Sequence, residues 1–174
     1  SSADTGAAPV GCWRMDTASS GSANTATITD ASGNGNNGTA DDGPNNTGMT
    51  WTTGKIGNGA LSFDGVDDYV DINNLVSDVS SDNAGTIELW VNFVSGISGD
   101  SANIFTVSKG DSTNYVQVNI QFLDKLRFVL DIGGGIVTTK ITINTYNNAW
   151  HHLAITCNGL TTKLYVDGTE PSLS

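Results

Sequence analysis

Apolar and polar residues alternate along the second half of the chain with the period of two that β-strands show. The alternation is clearest over residues 86–93, 115–122 and 126–132, where every second residue is apolar. Residues 104–108 and 137–143 continue the series, and turn-forming glycines separate several of these runs. The pattern predicts antiparallel strands that each bury one face and leave the other face polar.

The last third of the chain has the form of a β-hairpin. Residues 150–156 and 163–166 are two alternating runs, Asn158-Gly159 lies between them, and an Asp-Gly pair closes the second run. Asn-Gly and Asp-Gly are dipeptides that tight turns favour. We therefore expect this segment to form two neighbouring strands of one sheet.

The first half of the chain has shorter and weaker patterns. Residues 10–16 are predicted to form a strand, residues 61–63 and 69–72 two more, and residues 74–83 have room for one helical turn. Residues 17–50 are almost entirely polar. So long a stretch without strands or helices inside a compact domain is usually functional or ordered by a ligand.

No segment sustains a helical period, so the sequence predicts an all-β fold of two packed antiparallel sheets. The chain has 174 residues, of which 21 are Gly and 3 are Pro. This composition fits one domain of many short strands and tight turns. We expect residues 1–9 to be a flexible tail or linker and residues 10–174 to form the domain.

The charge balance argues against two classes of partner. Eighteen acidic residues against seven Lys and Arg give a net charge of −11. The sequence has no cluster of basic residues that would follow a phosphate backbone, so we expect no nucleic-acid partner. No apolar run approaches the ~20 residues that a membrane-spanning helix needs, so we expect no membrane insertion.

Three segments carry a family resemblance in their order and spacing. They are residues 13–16 followed by 30–39, residues 54–70, and the Trp-His-His start of the hairpin at residues 150–152. Together they resemble the concanavalin A-like lectin/glucanase superfamily, and more narrowly its laminin G-like, pentraxin-related jelly-roll domains. The resemblance implies a two-sheet jelly-roll β-sandwich at the cell surface or in a secreted protein, with calcium binding at acidic loops. It also implies carbohydrate binding or cell adhesion.

Domains of this kind continue beyond the Asp-Gly hairpin to a closing strand with an Ile-Asp-Glu-like motif, which pairs beside the first strand. Here the sequence stops at Ser174, six residues after Gly168. We expect the closing C-terminal strand to be truncated, unresolved or supplied by another chain. In the last case the open sheet edge would be a site for strand addition or self-assembly.

The sequence does not favour an enzyme. Glucanases of this superfamily use paired carboxylates on a central strand, because retaining hydrolysis needs two carboxyl groups about 5–5.5 Å apart. In the matching strand Glu88 has Trp90 and Asn92 at the next same-face positions. His151 and His152 are adjacent in a strand and point to opposite faces, so they cannot share a metal ion.

The oxygen-rich segment that starts at residue 30 is the first candidate for a metal site. Asp30, Asn34, Asn36 and Asn37 offer hard oxygen ligands, and the resemblance implies Ca²⁺ at loops of this kind. Asp16 or the closing segment would supply the remaining ligands. The alternative is a set of Asx turns that need no metal.

A second, weaker metal candidate is the group of Asp64, Asp67 and Asp68. Three carboxylates within five residues repel one another unless a cation or a hydrogen-bond donor compensates. The alternative is an ordinary turn at a strand junction.

A polar strand face is the candidate for ligand binding. Sugar sites in β-sandwiches combine aromatic rings with amide and carboxylate groups that form hydrogen bonds. The residues with this character are Tyr115, Gln117, Asn119 and Gln121, with Trp90 and Arg127 expected nearby. The alternative is an ordinary solvated sheet face.

The sequence contains two cysteines, Cys12 and Cys157, which could form a disulfide or remain free thiols. If bonded, they would close a very long loop worth about 4–5 kcal/mol in the chain-entropy model, and pairing would need an oxidising compartment. Cys157 is in phase with Leu153 and Ile155 and so should face the core, where free Cys is also common.

These observations favour a non-catalytic extracellular module that recognises glycan or protein, with structural calcium. A second interpretation is a structural surface or filament subunit that assembles through an incomplete sheet edge. A third is an accessory carbohydrate-binding module of a secreted enzyme.

Overall fold

A computed structural model describes residues 8–45, 48–79, 82, 84–93, 102–108, 114–121, 125–132, 135–142, 148–159 and 161–172. Twelve strands, one short α-helix (α1, Leu75–Val79) and one 3₁₀ turn (Gly43–Asn45) make up the regular structure of these residues. The all-β prediction is therefore confirmed. The strands fall into two compact units, Ser1–Ser80 and Ser81–Ser174.

The first unit holds five short strands. They are β1 (Thr27–Ile28), β2 (Gly38–Asp41), β3 (Thr50–Thr52), β4 (Ala60–Ser62) and β5 (Tyr69–Asp71). β2 pairs antiparallel with β1 on one side and with β5 on the other, and β3 pairs with β4. In the pairing of β2 with β5, Asp41 lies opposite Tyr69.

The core of the first unit comes mostly from the polar stretch 17–50. Its buried members are Ala23, Ile28, Ala40, Met49, Trp51 and Leu61. Because β1 and β2 lie in this stretch, the expectation that it lacks regular structure is wrong. These strands are 2 and 4 residues long, too short for an alternating pattern to stand out from the surrounding polar residues.

Residues 10–16 do not form the predicted strand. Trp13 makes one isolated bridge, to Asp30, and Met15 has a φ of 52°, which an extended strand does not contain. Trp13 and Met15 nevertheless pack against the core of the first unit. The apolar pattern therefore predicted the burial of these side chains but not the path of their backbone.

The second unit holds seven strands in two antiparallel sheets. They are β6 (Ala84–Asn92), β7 (Ala102–Ser108), β8 (Asn114–Gln121), β9 (Lys125–Ile132), β10 (Gly135–Thr142), β11 (Trp150–Asn158) and β12 (Thr161–Val166). One sheet has the order β10-β9-β8-β7 and the other the order β12-β11-β6. The strands predicted from alternation in residues 86–143 are therefore all present, with small shifts at their ends.

The two sheets of the second unit pack face to face through one apolar core. Its buried members are Phe93, Val118, Leu126, Phe128, Leu153, Ile155, Leu164 and Val166. β8 and β9 supply three of them from one sheet, and β11 and β12 supply four from the other. This arrangement confirms the predicted two-sheet sandwich.

β11, the first strand of the predicted hairpin, is the central strand of the three-stranded sheet. β11 pairs with β12 so that Leu153 lies opposite Val166, and it pairs with β6 so that Leu153 also lies opposite Leu89. Gly159 turns between β11 and β12 with a φ of 58°, a conformation that glycine adopts readily.

Both cysteines are free thiols, so the disulfide alternative is not realised in this structure. Cys157 packs against the core of the second unit, as its phase with Leu153 and Ile155 predicts. Its Sγ lies 3.6 Å from the carbonyl oxygen of Gly85.

Candidate functional site

The Asp30 carboxylate is buried and accepts four hydrogen bonds from the protein. Oδ1 accepts from the backbone N–H groups of Cys12 and Ser32, both at 2.9 Å. Oδ2 accepts from Ser32 Oγ at 2.7 Å and from the N–H of Asn36 at 3.0 Å. Burial acts to raise the pKa of Asp30, but the hydrogen bonds from Ser32, Cys12 and Asn36 outweigh it and lower this pKa to about 2.

The three predicted asparagine ligands hold the chain around Asp30 through their amides. Asn37 Oδ1 accepts the N–H of Asp30 at 2.9 Å. Asn34 Nδ2 donates to the carbonyl oxygen of Val10 at 3.0 Å, and Asn36 Nδ2 donates to the same oxygen at 3.0 Å. These amides therefore tie residue 10 to the loop, whereas a flexible tail over residues 1–9 stays a prediction.

The calcium site at the Asp30 loop stays a prediction, and the hydrogen bonds of Asp30 would compete with a metal ion. A metal ion would have to displace protein donors from both oxygens of Asp30, and Asn37 has already committed its carbonyl oxygen. Asp16, the proposed extra ligand, instead lies against Gly57, where an added Cβ would come within 2.7 Å of Asp16 Oδ2. The Asx-turn alternative describes this loop better.

The second metal candidate does bring its three carboxylates together. Oxygens of Asp64, Asp67 and Asp68 lie within 4.8 Å of one another. The N–H of Asp64 donates to Asp68 Oδ2 at 2.7 Å, and Asp64 Oδ1 accepts the N–H of Val66 at 2.7 Å. The loop between β4 and β5 therefore folds back on itself and places three acids on one side.

A fourth carboxylate, that of Asp42, lies outside this group of three, but its charge acts on Asp68, and sequence reasoning missed it. Asp42 is 3% exposed, and its Oδ1 accepts no hydrogen bond from the described residues. Burial raises the pKa of Asp68, and the charges of Asp64, Asp42 and Asp67 raise it further, against the lowering effect of the Asp64 N–H. Asp42 directly follows β2, and the partner strand β5 begins directly after Asp68.

Two glycines let the carboxylates of this cluster approach the backbone. A Cβ on Gly43 would lie 2.6 Å from Asp67 Oδ2, and a Cβ on Gly48 would lie 2.7 Å from Asp64 Oδ2. Gly43 also has a φ of 66°, in the left-handed region that other residues rarely adopt. We call Asp64, Asp67 and Asp68 the three-aspartate group.

The predicted ligand face on β8 and β9 is a connected polar network. Gln117 Oε1 accepts from Asn119 Nδ2 at 3.0 Å and from Arg127 Nη2 at 3.4 Å. Asn119 Oδ1 accepts from Arg127 Nε at 3.1 Å, and Gln117 Nε2 donates to Asn103 Oδ1 at 2.9 Å. The side chains of this face therefore already satisfy one another.

The prediction that this face is open to ligand is wrong at Asn119, which is 0% exposed. Tyr115, Gln117 and Arg127 are half-buried, and the side chain of Gln121 lies outside the described residues. A buried amide whose oxygen and nitrogen both form hydrogen bonds within the protein helps to fix the sheet and is not accessible to a sugar.

Trp90 does not lie near this network. Leu89 and Val91 pack against the core from β6, so Trp90 between them points to the outer face of the three-stranded sheet. Gln117 lies beside Val118 and Val116, which face the same core from β8, so it points away from the sandwich on the other side. The predicted ligand residues whose side chains are described are therefore divided between opposite faces of the second unit.

The outer face of the three-stranded sheet carries an exposed aromatic platform. Trp90 is 39% exposed, and its ring centroid lies 5.3 Å from that of His152, with an interplanar angle of 52°. Glu88 Oε2 lies 3.6 Å from His152 Nε2. In register, Ala154 lies between Glu88 and Tyr165. We call these residues (Glu88, Trp90, His152, Ala154 and Tyr165) the Trp90 face.

The two adjacent histidines point to opposite faces, as expected. His151 points inward beside the core residue Leu153, and its Nδ1 lies 2.7 Å from Asp167 Oδ2. Asp167 Oδ1 also accepts the N–H of His152 at 3.0 Å. The hydrogen bond from His151 is the main cause that lowers the pKa of Asp167. This pair closes the hairpin and explains why Asp-Gly follows β12.

A family model described as the concanavalin A-like lectin/glucanases superfamily, of laminin G type, matches residues 64–172. This range is more than half of the chain. The chain belongs to this superfamily. The laminin G-like match covers the whole described part of the second unit and the three-aspartate group, while the Asp30 loop precedes it.

A solved structure extends the likeness of this laminin G-like chain to residues before the family match. It is the crystal structure of an S-layer domain-containing protein from Clostridium thermocellum ATCC 27405. The sequences are 25% identical, the TM-score is 0.56, and the match covers 94% of this chain and 71% of that one.

The search of curated proteins gives no match to this laminin G-like chain. In the described ranges, no helix has the length and apolar character to cross a bilayer.

Proposed function

We propose that this laminin G-like chain is a non-catalytic extracellular binding module that recognises glycan through the Trp90 face. The observation that carries the proposal is the combination of an exposed Trp ring, a half-buried His ring and an exposed carboxylate on one regular sheet. The superfamily and the S-layer neighbour both fit a binding or surface module.

The chemistry of the Trp90 face suits a sugar ring. An indole offers a flat apolar surface to the C–H groups of a pyranose, while groups at its edge bind hydroxyls. The Glu88 side chain is 68% exposed and provides an acceptor, and His152 lies between Glu88 and Trp90. The small Ala154 leaves the surface low between Glu88 and Tyr165, which suits a flat ligand.

The surroundings of Glu88 support binding rather than hydrolysis. Its same-face neighbours on β6 are Thr86 and Trp90, and its partner on β11 is Ala154. Retaining hydrolysis would need a second carboxyl group about 5–5.5 Å away, and none of these three positions supplies one. The ionic neighbour of Glu88 is His152.

The first prediction concerns Trp90. A glycan array probed with the full chain should give a signal that Trp90→Ala abolishes, because the variant removes the apolar platform. Trp90→Phe, which keeps a smaller ring, should retain weakened binding by isothermal titration calorimetry.

Phe63→Ala is the matched control, because Phe63 is also an exposed aromatic residue, at 47%, but lies in the first unit. It should bind as the wild type does. Unchanged glycan binding by Trp90→Ala would show that the Trp90 face is not the glycan site. An array without any signal for the wild type would contradict glycan recognition.

A second candidate function is a structural subunit of a surface layer. The observation that favours it is the S-layer domain-containing neighbour. Analytical ultracentrifugation of the full chain should then show concentration-dependent assembly. A monomer at all concentrations would count against this role and leave the binding role intact.

A further inference from the structure

Glu88 is the exposed acid of the Trp90 face. Its side chain is 68% exposed, and its carboxylate accepts no hydrogen bond from the described residues. The distance between Glu88 Oε2 and His152 Nε2 is 3.6 Å, which is too long for a hydrogen bond. Both oxygens of Glu88 are therefore available to a partner that approaches from solvent.

Lys163 is the basic residue on the outer side of the same sheet. It lies two residues from Tyr165 on β12, so both side chains point to the outer face. The distance between Lys163 Nζ and Glu170 Oε2 is 3.2 Å, and this hydrogen bond, together with the charge of Glu170, raises the pKa of Lys163. The charge of Lys163 is therefore already balanced by Glu170.

The charge of this surface is negative. Asp167, at the turn after β12, accepts hydrogen bonds from His151 and from the N–H of His152. With neutral histidines, the described face and this turn carry three carboxylates and one ammonium group, which belong to Glu88, Asp167, Glu170 and Lys163. Such a surface attracts a cationic ligand and repels an anionic one.

A tryptophan ring beside a carboxylate is suited to an ammonium group. A cation above an indole is attracted by the ring quadrupole, and a carboxylate accepts charge-assisted hydrogen bonds from it. Trp90 lies two residues from Glu88 on β6, so their side chains share one face, about 7 Å apart along the strand. One sugar residue can therefore lie on the ring of Trp90 while a substituent reaches Glu88.

We propose that the Trp90 face selects glycans that carry a free amino group. This inference rests on the proposed function, because it takes the Trp90 face as the glycan site and adds the class of sugar. The pyranose ring would lie on the indole of Trp90, and its ammonium group would bind the carboxylate of Glu88. N-Acetylation removes the positive charge and a sugar acid brings a negative one, so both changes should weaken binding.

The test compares two oligosaccharides that differ only in this group. The full chain is titrated by calorimetry with a β-1,4-linked glucosamine oligomer and with the matching N-acetylglucosamine oligomer. The buffer keeps the amine protonated and contains about 150 mM NaCl, which screens distant charges. The glucosamine oligomer should bind about tenfold more tightly, because it adds a charge-assisted contact. Trp90→Ala should bind neither oligomer.

Glu88→Gln is the decisive variant. It keeps the size of the side chain and removes its charge, and because Glu88 is exposed the fold should be unchanged. This variant should bind the two oligomers with equal affinity. Asp71→Asn is the matched control, because Asp71 is an exposed acid on β5 outside the Trp90 face. It removes one negative charge from the chain and should keep the wild-type preference.

Three results would overturn the proposal. The first is equal affinity of the wild type for both oligomers while Trp90→Ala loses both, in which case glycan recognition stands and the amino preference falls. The second is a preference that Glu88→Gln keeps, or that Asp71→Asn loses equally, which would attribute it to net charge.

The third is displacement of the glucosamine oligomer by an equal concentration of a lysine peptide of the same charge, which would assign the Trp90 face to a protein partner. Failure of the proposed function itself would look different. The wild type would then bind neither oligomer and would give no signal on the glycan array, and the amino preference would fall with it.

Discussion

The Asp30 carboxylate shows how one residue can organise a loop without a metal ion. Its four hydrogen bonds come from Cys12, Ser32 and Asn36, which lie on both sides of it in the sequence. The donors are mostly backbone N–H groups, whose partial positive charges favour the ionised form. The negative charge itself therefore holds residues 12 and 36 together.

The pH dependence of folding should reveal this role. The folded-state pKa of Asp30 is lowered from 3.8 to about 2, so between these values the unfolded chain binds a proton that the folded chain does not. Stability from Asp30 is therefore complete above pH 4 and is lost as the pH falls towards 2. Asp30→Asn should flatten this part of the curve of melting temperature against pH.

Asp71→Asn provides the comparison, because Asp71 Oδ1 accepts a single backbone N–H, that of Asn73. This variant should keep most of the wild-type slope between pH 4 and 2. An Asp30→Asn protein with the full wild-type slope would show that other acids cause the acid sensitivity.

Sequence reasoning singled out Asp30 but did not foresee its hydrogen-bond donors. Residue types show which side chains can bind a cation, and Asp30 and Asn37 qualify. They do not show which backbone N–H groups reach the carboxylate, because the donor Cys12 is 18 positions away along the chain. Asp42 was overlooked because the residue on which its charge acts, Asp68, is also remote in sequence.

At the scale of elements, alternation predicted the second unit well and the first unit poorly. β6, β8, β9 and β11 are eight or nine residues long, so each contains several periods of burial and exposure. β1 to β5 have four residues or fewer, and the residues that pack between them appear as isolated apolar positions. Whether such short strands form depends on their pairing with residues that are distant in the sequence, and a single sequence does not show which residues pair.

The sequence also failed to predict that the polar face of β8 is partly buried. A period of two assigns Gln117 and Asn119 to the face opposite Val118, and that assignment is right. It does not say whether that face meets solvent. Asn119 is 0% exposed and accepts a hydrogen bond from Arg127. The alternating polar positions of β8 therefore belong to a partly buried hydrogen-bond network rather than to an open surface.

The element-scale prediction concerns β11. Ile155 is 2% exposed in the core between the two sheets. Ile155→Ala should lower the free energy of unfolding by about 2–5 kcal/mol, because it removes buried methyl groups and leaves a cavity. Urea denaturation followed by tryptophan fluorescence measures this loss.

Lys163→Ala tests the outer side of the same hairpin. Lys163 lies opposite Thr156 and pairs with the exposed Glu170 at 3.2 Å. Exposed ion pairs contribute little to stability, so this variant should unfold near the wild-type midpoint. A decrease in the free energy of unfolding as large as that of Ile155→Ala would mean that the core-facing side chains are not the main source of the hairpin's stability.

At the scale of the whole molecule, the family resemblance found in three separated segments proved correct and identified the sandwich. It could not rank the faces of that sandwich as binding surfaces. That ranking depends on which aromatic residues remain exposed, and the tilted rings of Trp90 and His152 are neighbours because the register of β6 and β11 places these residues opposite each other. Superfamily membership therefore gives the scaffold, and the register gives the candidate site.

The net charge of −11 predicts a property of the entire chain. Like charges on a compact molecule repel one another and destabilise it relative to an expanded chain. Raising NaCl from about 10 mM to about 150 mM shortens the Debye length from about 30 Å to about 8 Å. In EDTA, the melting temperature of the wild type should therefore rise with NaCl.

This salt effect should continue without a defined saturation point, because screening involves all exposed charges rather than one site. A melting temperature that stays level or falls as NaCl is added would mean that the acidic side chains are already balanced locally.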